Sequence, residues 1–198
     1  MNNITSVDKQ FTIFLHLIPH FQYLDTFFNF FSQVGYFSYI WILIVLLLSV
    51  YLSKKNKIII PTIIISLIIA FGSTYTFKHT FKRPRPVSFL NTKLCPHNFL
   101  ADKKIIIPEE CNPHDYSFPS GHATYAFMFA TLFAFFDKKR RYIYYLIAIL
   151  IAYSRIYIGV HYLSDIIAGG LLGFTISTVI LNFVNRKDIR NYFRNKRG

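Results

Sequence analysis

Hydrophobic residues in this chain come in long unbroken runs rather than in strand-like alternation or narrow helical stripes. Val34–Leu52, Ile58–Phe77, Pro119–Phe136, Tyr142–Gly159 and Tyr162–Val184 each approach or exceed the ~20 residues a helix needs to cross a bilayer. The pattern predicts an all-α fold: a polytopic bundle of five membrane-spanning helices forming a single domain over residues 1–198. Upstream, Phe11–Phe31 is rich in Phe and Leu but interrupted by His16, Pro19, His20, Gln22, Asp25 and Asn29. That mixture predicts, within residues 1–33, an amphipathic helix lying in the interface; a sixth span is the alternative. A basic leader and small-residue cleavage site are missing, so no cleavable signal peptide is expected.

Composition sharpens this picture through the placement of charge. The net charge is +13, from 22 Lys and Arg against 9 Asp and Glu. Much of the excess falls in Lys54, Lys55 and Lys57; in Lys138, Lys139, Arg140 and Arg141; and in a basic tail over 185–198. These clusters follow the first, third and fifth spans, so alternating topology puts them on one face, and positive charge marks it as cytoplasmic. Topology and attraction to anionic lipids account for the charge without nucleic acid. The segment 87–118 and the short joint between the fourth and fifth spans then lie outside the cytoplasm. Cys95 and Cys111 both fall in that outer loop, where an oxidising compartment permits a disulfide. Closing a loop of about 15 residues would contribute roughly 3 kcal/mol in the chain-entropy model; two free thiols are the other reading. The Cys and His spacing matches no common zinc pattern, so no metal is expected. Gly169, Gly170 and Gly173 in the fifth run suit close helix packing better than chemistry.

Three short stretches bordering the outer segments carry the candidate chemistry. Lys78 ends the second run, and Arg83 and Arg85 follow, each before a proline that stops the helix and extends the chain. Arg offers a planar fork to phosphate oxygens and Lys a point charge. Lys82 reads better as a headgroup anchor. Pro119-Ser120-Gly121-His122 opens the third span, where first-turn N–H groups suit an anion. Gly121 permits close approach, Ser120 adds a hydroxyl, and His122 sits where it could protonate a leaving oxygen. A cap and a surface histidine would read the same way in isolation. Arg155 lies near the outer end of the fourth span, where a cation marks function. His161 and Asp165 are four apart and share a helix face. The carboxylate can fix one ring nitrogen and leave the other free to attack, although an ordinary helix ion pair has the same spacing.

Taken together, these residues resemble the type 2 phosphatidic acid phosphatase family, related in its core to vanadium haloperoxidases. Its K-x6-R-P motif is met by Lys78, Arg85 and Pro86; P-S-G-H by Pro119 to His122; and S-R-x5-H-x3-D by Ser154, Arg155, His161 and Asp165. The resemblance implies a helical membrane bundle with an outward site and no cofactor or metal. It implies that His161 attacks phosphorus, Asp165 orients it and His122 protonates the leaving oxygen. Lys78, Arg85, Arg155, Ser120 and Gly121 would hold the phosphate. The expected activity is hydrolysis of a membrane lipid phosphate monoester or pyrophosphate. Undecaprenyl pyrophosphate is marginally preferred over phosphatidylglycerol phosphate, phosphatidic acid and lipid A phosphates. A lipid phosphotransferase and a non-catalytic lipid-phosphate binding or transport protein are the competing readings. Haloperoxidase activity suits the spans less well. The expected location is the plasma (inner) membrane, with the lipid and the bilayer as partners.

Overall fold

The computed structural model describes residues 2–16, 21–32, 38–53, 58–86 and 115–195. Its helices are α1 (Asn2–His16), α2 (Gln22–Ser32), α3 (Ser38–Ser53), α4 (Ile59–Phe81), α5 (Gly121–Phe136), α6 (Arg141–Tyr157) and α7 (Leu163–Asn195), with a 3-10 turn at Lys138–Arg140. No strand occurs among the described residues, in keeping with the all-α expectation. Ile59–Phe81 and Leu163–Val184 are long and apolar enough to cross a membrane; Leu43–Leu52 and Gly121–Phe136 are shorter apolar helices. Cys95, Cys111, the Lys54–Lys57 cluster and residues 87–114 of the outer loop lie outside the described residues.

The helices are apolar on the outside and partly polar within. α4 turns Ile64, Ile65, Ile68 and Phe71 outward and buries Thr62, Ile63, Ser66, Ala70 and Thr74. The inward hydroxyls of Thr62 and Ser66 donate to the carbonyls of Ile58 and Thr62, at 2.7 Å each, so these polar groups are satisfied within their own helix. Outward apolar faces this extensive suit lipid rather than water.

α5 and α7 form the central pair. Met128, Leu132 and Phe133 pack against Ile176, Ile180 and Leu181, with Ile59, Ile63 and Ala70 of α4 completing the core. The glycines expected to serve packing do so. A Cβ at Gly169 would lie 2.5 Å from the Ser120 carbonyl oxygen, and one at Gly173 would meet the Thr124 oxygen and, at 2.9 Å, the Met128 nitrogen. Only glycine lets the two backbones approach this closely.

The N-terminal stretch differs from the single interfacial helix expected over Phe11–Phe31. It forms two helices, and helix begins as early as Asn2. Pro19, with no N–H to donate, lies in the sequence between them. One of the polar side chains that argued against a span has a partner inside the bundle: Tyr157 donates to Asp25 at 2.6 Å. Leu24 and Phe28 of α2 pack on Tyr157, Ile158 and Val160. α1 turns Val7, Phe11 and Phe14 outward and Thr12 inward.

Candidate active site

α4 ends where Lys82 takes a left-handed conformation (φ 45°), its N–H bonded to the Lys78 carbonyl at 3.0 Å. This terminates the helix as a C-terminal cap does and turns the chain back over the bundle. The returning residues lie beside the approach to α5: Pro84 and Tyr116 form an isolated antiparallel bridge, and Ser117 N donates to Arg83 O at 2.8 Å. The first and second motifs are therefore tied together by backbone before any side chain acts.

Helix α5 starts at Gly121, two residues later than the apolar run suggests, because Ser120 is the N-cap and its hydroxyl accepts from Ala123 N at 3.5 Å. Ser120 is fully buried, and its own N–H donates to the Asp165 carbonyl at 3.0 Å, joining the second motif to the third. That N–H is thus committed within the fold rather than turned outward. By helix geometry the first-turn N–H groups of Gly121 and His122 have no intrahelical acceptor.

The third motif spans the joint between α6 and α7. Arg155 is buried in the last turn of α6, and its carbonyl accepts from Val160 N at 3.1 Å. Gly159, at φ 80°, makes the reversal that sets His161 at the head of α7. Asp165 is fully buried; its Oδ2 accepts the Tyr162 N–H at 2.9 Å, a reach back to the N-cap residue that holds the carboxylate still. His161 Nδ1 lies 3.5 Å from Asp165 Oδ2, beyond a well-formed hydrogen bond; α7 starts only at Leu163, so His161 precedes the helix and the two are neighbours without sharing a helix face. The other ring nitrogen, Nε2, faces Arg85 Nη1 at 3.5 Å. A guanidinium can only donate, so this arrangement favours a lone pair on Nε2 and the proton on Nδ1, toward Asp165.

Burial first, then the positive charges of Arg85, Arg155 and Lys78, hold the His161 imidazole well below its ordinary value. The ring is neutral at pH 7. The same three cations bear on His122. Lys78, Arg85 and Arg155 thus form a cationic cradle around His122 and His161, with Asp165 behind it.

Sequence reasoning missed two members of this neighbourhood. Asp115 sits between the cradle's cations: Lys78 Nζ reaches its Oδ2 at 3.2 Å, and Arg85 Nη2 also donates to Oδ2. Burial alone pushes this carboxyl up, but the hydrogen bond and charge of Arg85, with Lys78 adding, hold it below the usual carboxylate range. Asp8, from α1, bonds Arg83 at 2.5 Å. No local spacing marks either aspartate. Lys82 is exposed, as an anchor would be.

A helical bundle with outward apolar faces, enclosing a neutral histidine beside a cationic cradle, defines a membrane-type protein with an anion-handling site. The chain belongs to the PAP2 superfamily, whose model matches residues 58–189 and thus every motif residue above. An undecaprenyl-diphosphatase of Sulfolobus acidocaldarius is 36% identical over 141 residues, which are 71% of this chain and 61% of that protein. The chain therefore matches less than two thirds of that relative's length. Among solved structures, Aquifex aeolicus LpxE superposes with a TM-score of 0.66 at 26% identity, covering 87% of this chain and 93% of that one. A transmembrane PAP2-type phosphatidylglycerolphosphate phosphatase from Bacillus subtilis also gives 0.66, at 20% identity over 94% of this chain and 88% of its own, a likeness of fold.

Proposed function

We propose that this protein is an integral membrane lipid phosphatase that works through a phosphohistidine at His161. The observation that carries the reading is the orientation of a neutral, buried imidazole: Nε2 turned to the guanidinium of Arg85 and Nδ1 to Asp165. A phosphate held by Lys78, Arg85, Arg155 and the Ser120–Gly121 turn would present phosphorus to Nε2. Attack forms the N–P bond and breaks the bond to the leaving oxygen, which takes its proton from His122. Water, deprotonated by His122, then releases inorganic phosphate and restores His161. Fixed donors around the transferring phosphoryl group stabilise its charge through both steps. The placement of the basic clusters supports a single membrane-spanning domain with its site at the extracytoplasmic face of the plasma (inner) membrane.

A site at the head of apolar helices favours a lipid over a soluble phosphate. Resemblance to an undecaprenyl-diphosphatase supports undecaprenyl pyrophosphate as first substrate, ahead of phosphatidylglycerol phosphate, phosphatidic acid and lipid A phosphates. The test is phosphate release by detergent-purified protein, with EDTA present, across those lipids. Wild type should release phosphate, fastest from undecaprenyl pyrophosphate, and His161→Ala should lose at least about a thousandfold in kcat. No phosphate release, but phosphorylation of an added acceptor lipid at the expense of the donor, would make the protein a phosphotransferase. Release by His161→Ala at the wild-type rate would remove His161 as nucleophile.

A further inference from the structure

Arg83 lies outside the cradle, yet both of its terminal nitrogens are bonded at the head of α7. Nη1 donates to Asp165 Oδ1 at 2.7 Å and to Ser164 Oγ at 2.6 Å, and Nη2 donates to Asp8 Oδ2 at 2.5 Å. The guanidinium also stacks 3.7 Å above the Tyr162 ring. Asp8 comes from α1, and the same carboxylate accepts Ser164 N at 3.1 Å and Ser164 Oγ at 2.5 Å. One helical turn on, Thr12 Oγ1 accepts Leu163 N at 3.1 Å. The first N–H groups of α7 are thus satisfied by side chains of α1 rather than by their own helix. α1 docks through its polar face, with Asp8 at the centre of the contact.

Asp165 has no exposed surface, and an ionised carboxylate enclosed this way needs a compensating charge. Arg83 supplies that charge, and Asp8 fixes where Arg83 points. With Oδ1 held by Arg83 and Oδ2 by Tyr162 N–H, the carboxylate cannot rotate, so Oδ2 stays turned to His161 Nδ1. We propose that Asp8 and Arg83 are positioning residues for the His161–Asp165 pair, and that helix α1 is a working part of the active site. The inference deepens the phosphohistidine reading and rests on it. It places a determinant of turnover outside the stretch that carries the family motifs, in a helix whose sequence reads only as a membrane attachment.

The test uses full-length protein in detergent and compares wild type with Asp8→Asn, Asp8→Glu, Arg83→Gln, Arg83→Lys and His161→Ala. Measured are kcat and KM for the best lipid, inhibition by vanadate as a probe of the cradle, and thermal unfolding. Asn at position 8 keeps an oxygen for Ser164 N–H but loses the charge that holds Arg83. Asp8→Asn and Arg83→Gln should lower kcat by about tenfold or more, the usual size of effect for groups that orient a reacting side chain. KM and the vanadate constant should stay within about twofold, since the cradle is untouched. Asp8→Glu and Arg83→Lys should recover part of the loss. Wild-type kcat in Asp8→Asn and Arg83→Gln, beside an inactive His161→Ala, would overturn the positioning role and leave the nucleophile standing. So would losses that follow thermal stability alone and are not relieved by the charge-keeping variants. An active His161→Ala would instead overturn the phosphohistidine reading beneath it.

Discussion

His161 has its two nitrogens in different surroundings, one toward a carboxylate and one toward a guanidinium. Its burial and the nearby cations disfavour the protonated ring, so its folded value lies below the ordinary ~6.5. Attack needs the neutral ring, and a lowered value keeps it neutral to more acid pH. The acid limb of kcat/KM should therefore lie below pH about 6.5. An acid limb above pH about 7 would contradict the assignment. Asp115 carries a second prediction at this scale. Its carboxylate is hydrogen-bonded by Lys78 and Arg85, the cations a phosphate would use. Asp115→Asn removes a competing negative charge, so inorganic phosphate should inhibit the variant at several-fold lower concentration than wild type. Weaker inhibition would show that Asp115 helps to hold the anion instead.

At the scale of elements, the α5–α7 contact sets how close the second and third motifs come. Gly173→Ala drives a methyl group into the backbone of Thr124 and Met128, which cannot swing aside as a side chain could. It should destabilise by about 1–3 kcal/mol, as overpacking of a tight contact does. Gly72→Ala meets nothing within 4 Å and sits in a helix interior, so it should be neutral or stabilising by up to about 1 kcal/mol. Thermal unfolding in detergent compares the two; equal melting temperatures would refute the close-packing role of Gly173. The helices themselves were legible because each long apolar run has no other way to satisfy its backbone in lipid. Their ends were less so. The start of α5 depends on a Ser120 cap, and the end of α1 at His16 and the start of α2 at Gln22 fall inside one Phe- and Leu-rich stretch. Lys78, Arg85, His161 and Asp165 could be read from local spacing. Asp8 and Asp115 could not, because their partner arginines lie 75 and 30 residues away along the chain.

For the whole molecule, the proposed polarity sets basic clusters on one face and the anion cradle toward the other. Cys95 and Cys111 test that polarity without any substitution. An impermeant maleimide applied to intact cells should label the chain directly if the two thiols are free, and only after reduction if they are paired. Labelling seen only after the membrane is opened would invert the topology. Rapid quenching looks for the phosphohistidine itself. Wild type mixed with a lipid carrying a radiolabelled terminal phosphate, and quenched in alkali during turnover, should retain acid-labile, alkali-stable label on the peptide containing His161. His161→Ala should retain none. Label captured on another residue, or unimpaired phosphate release by His161→Ala, would contradict the account.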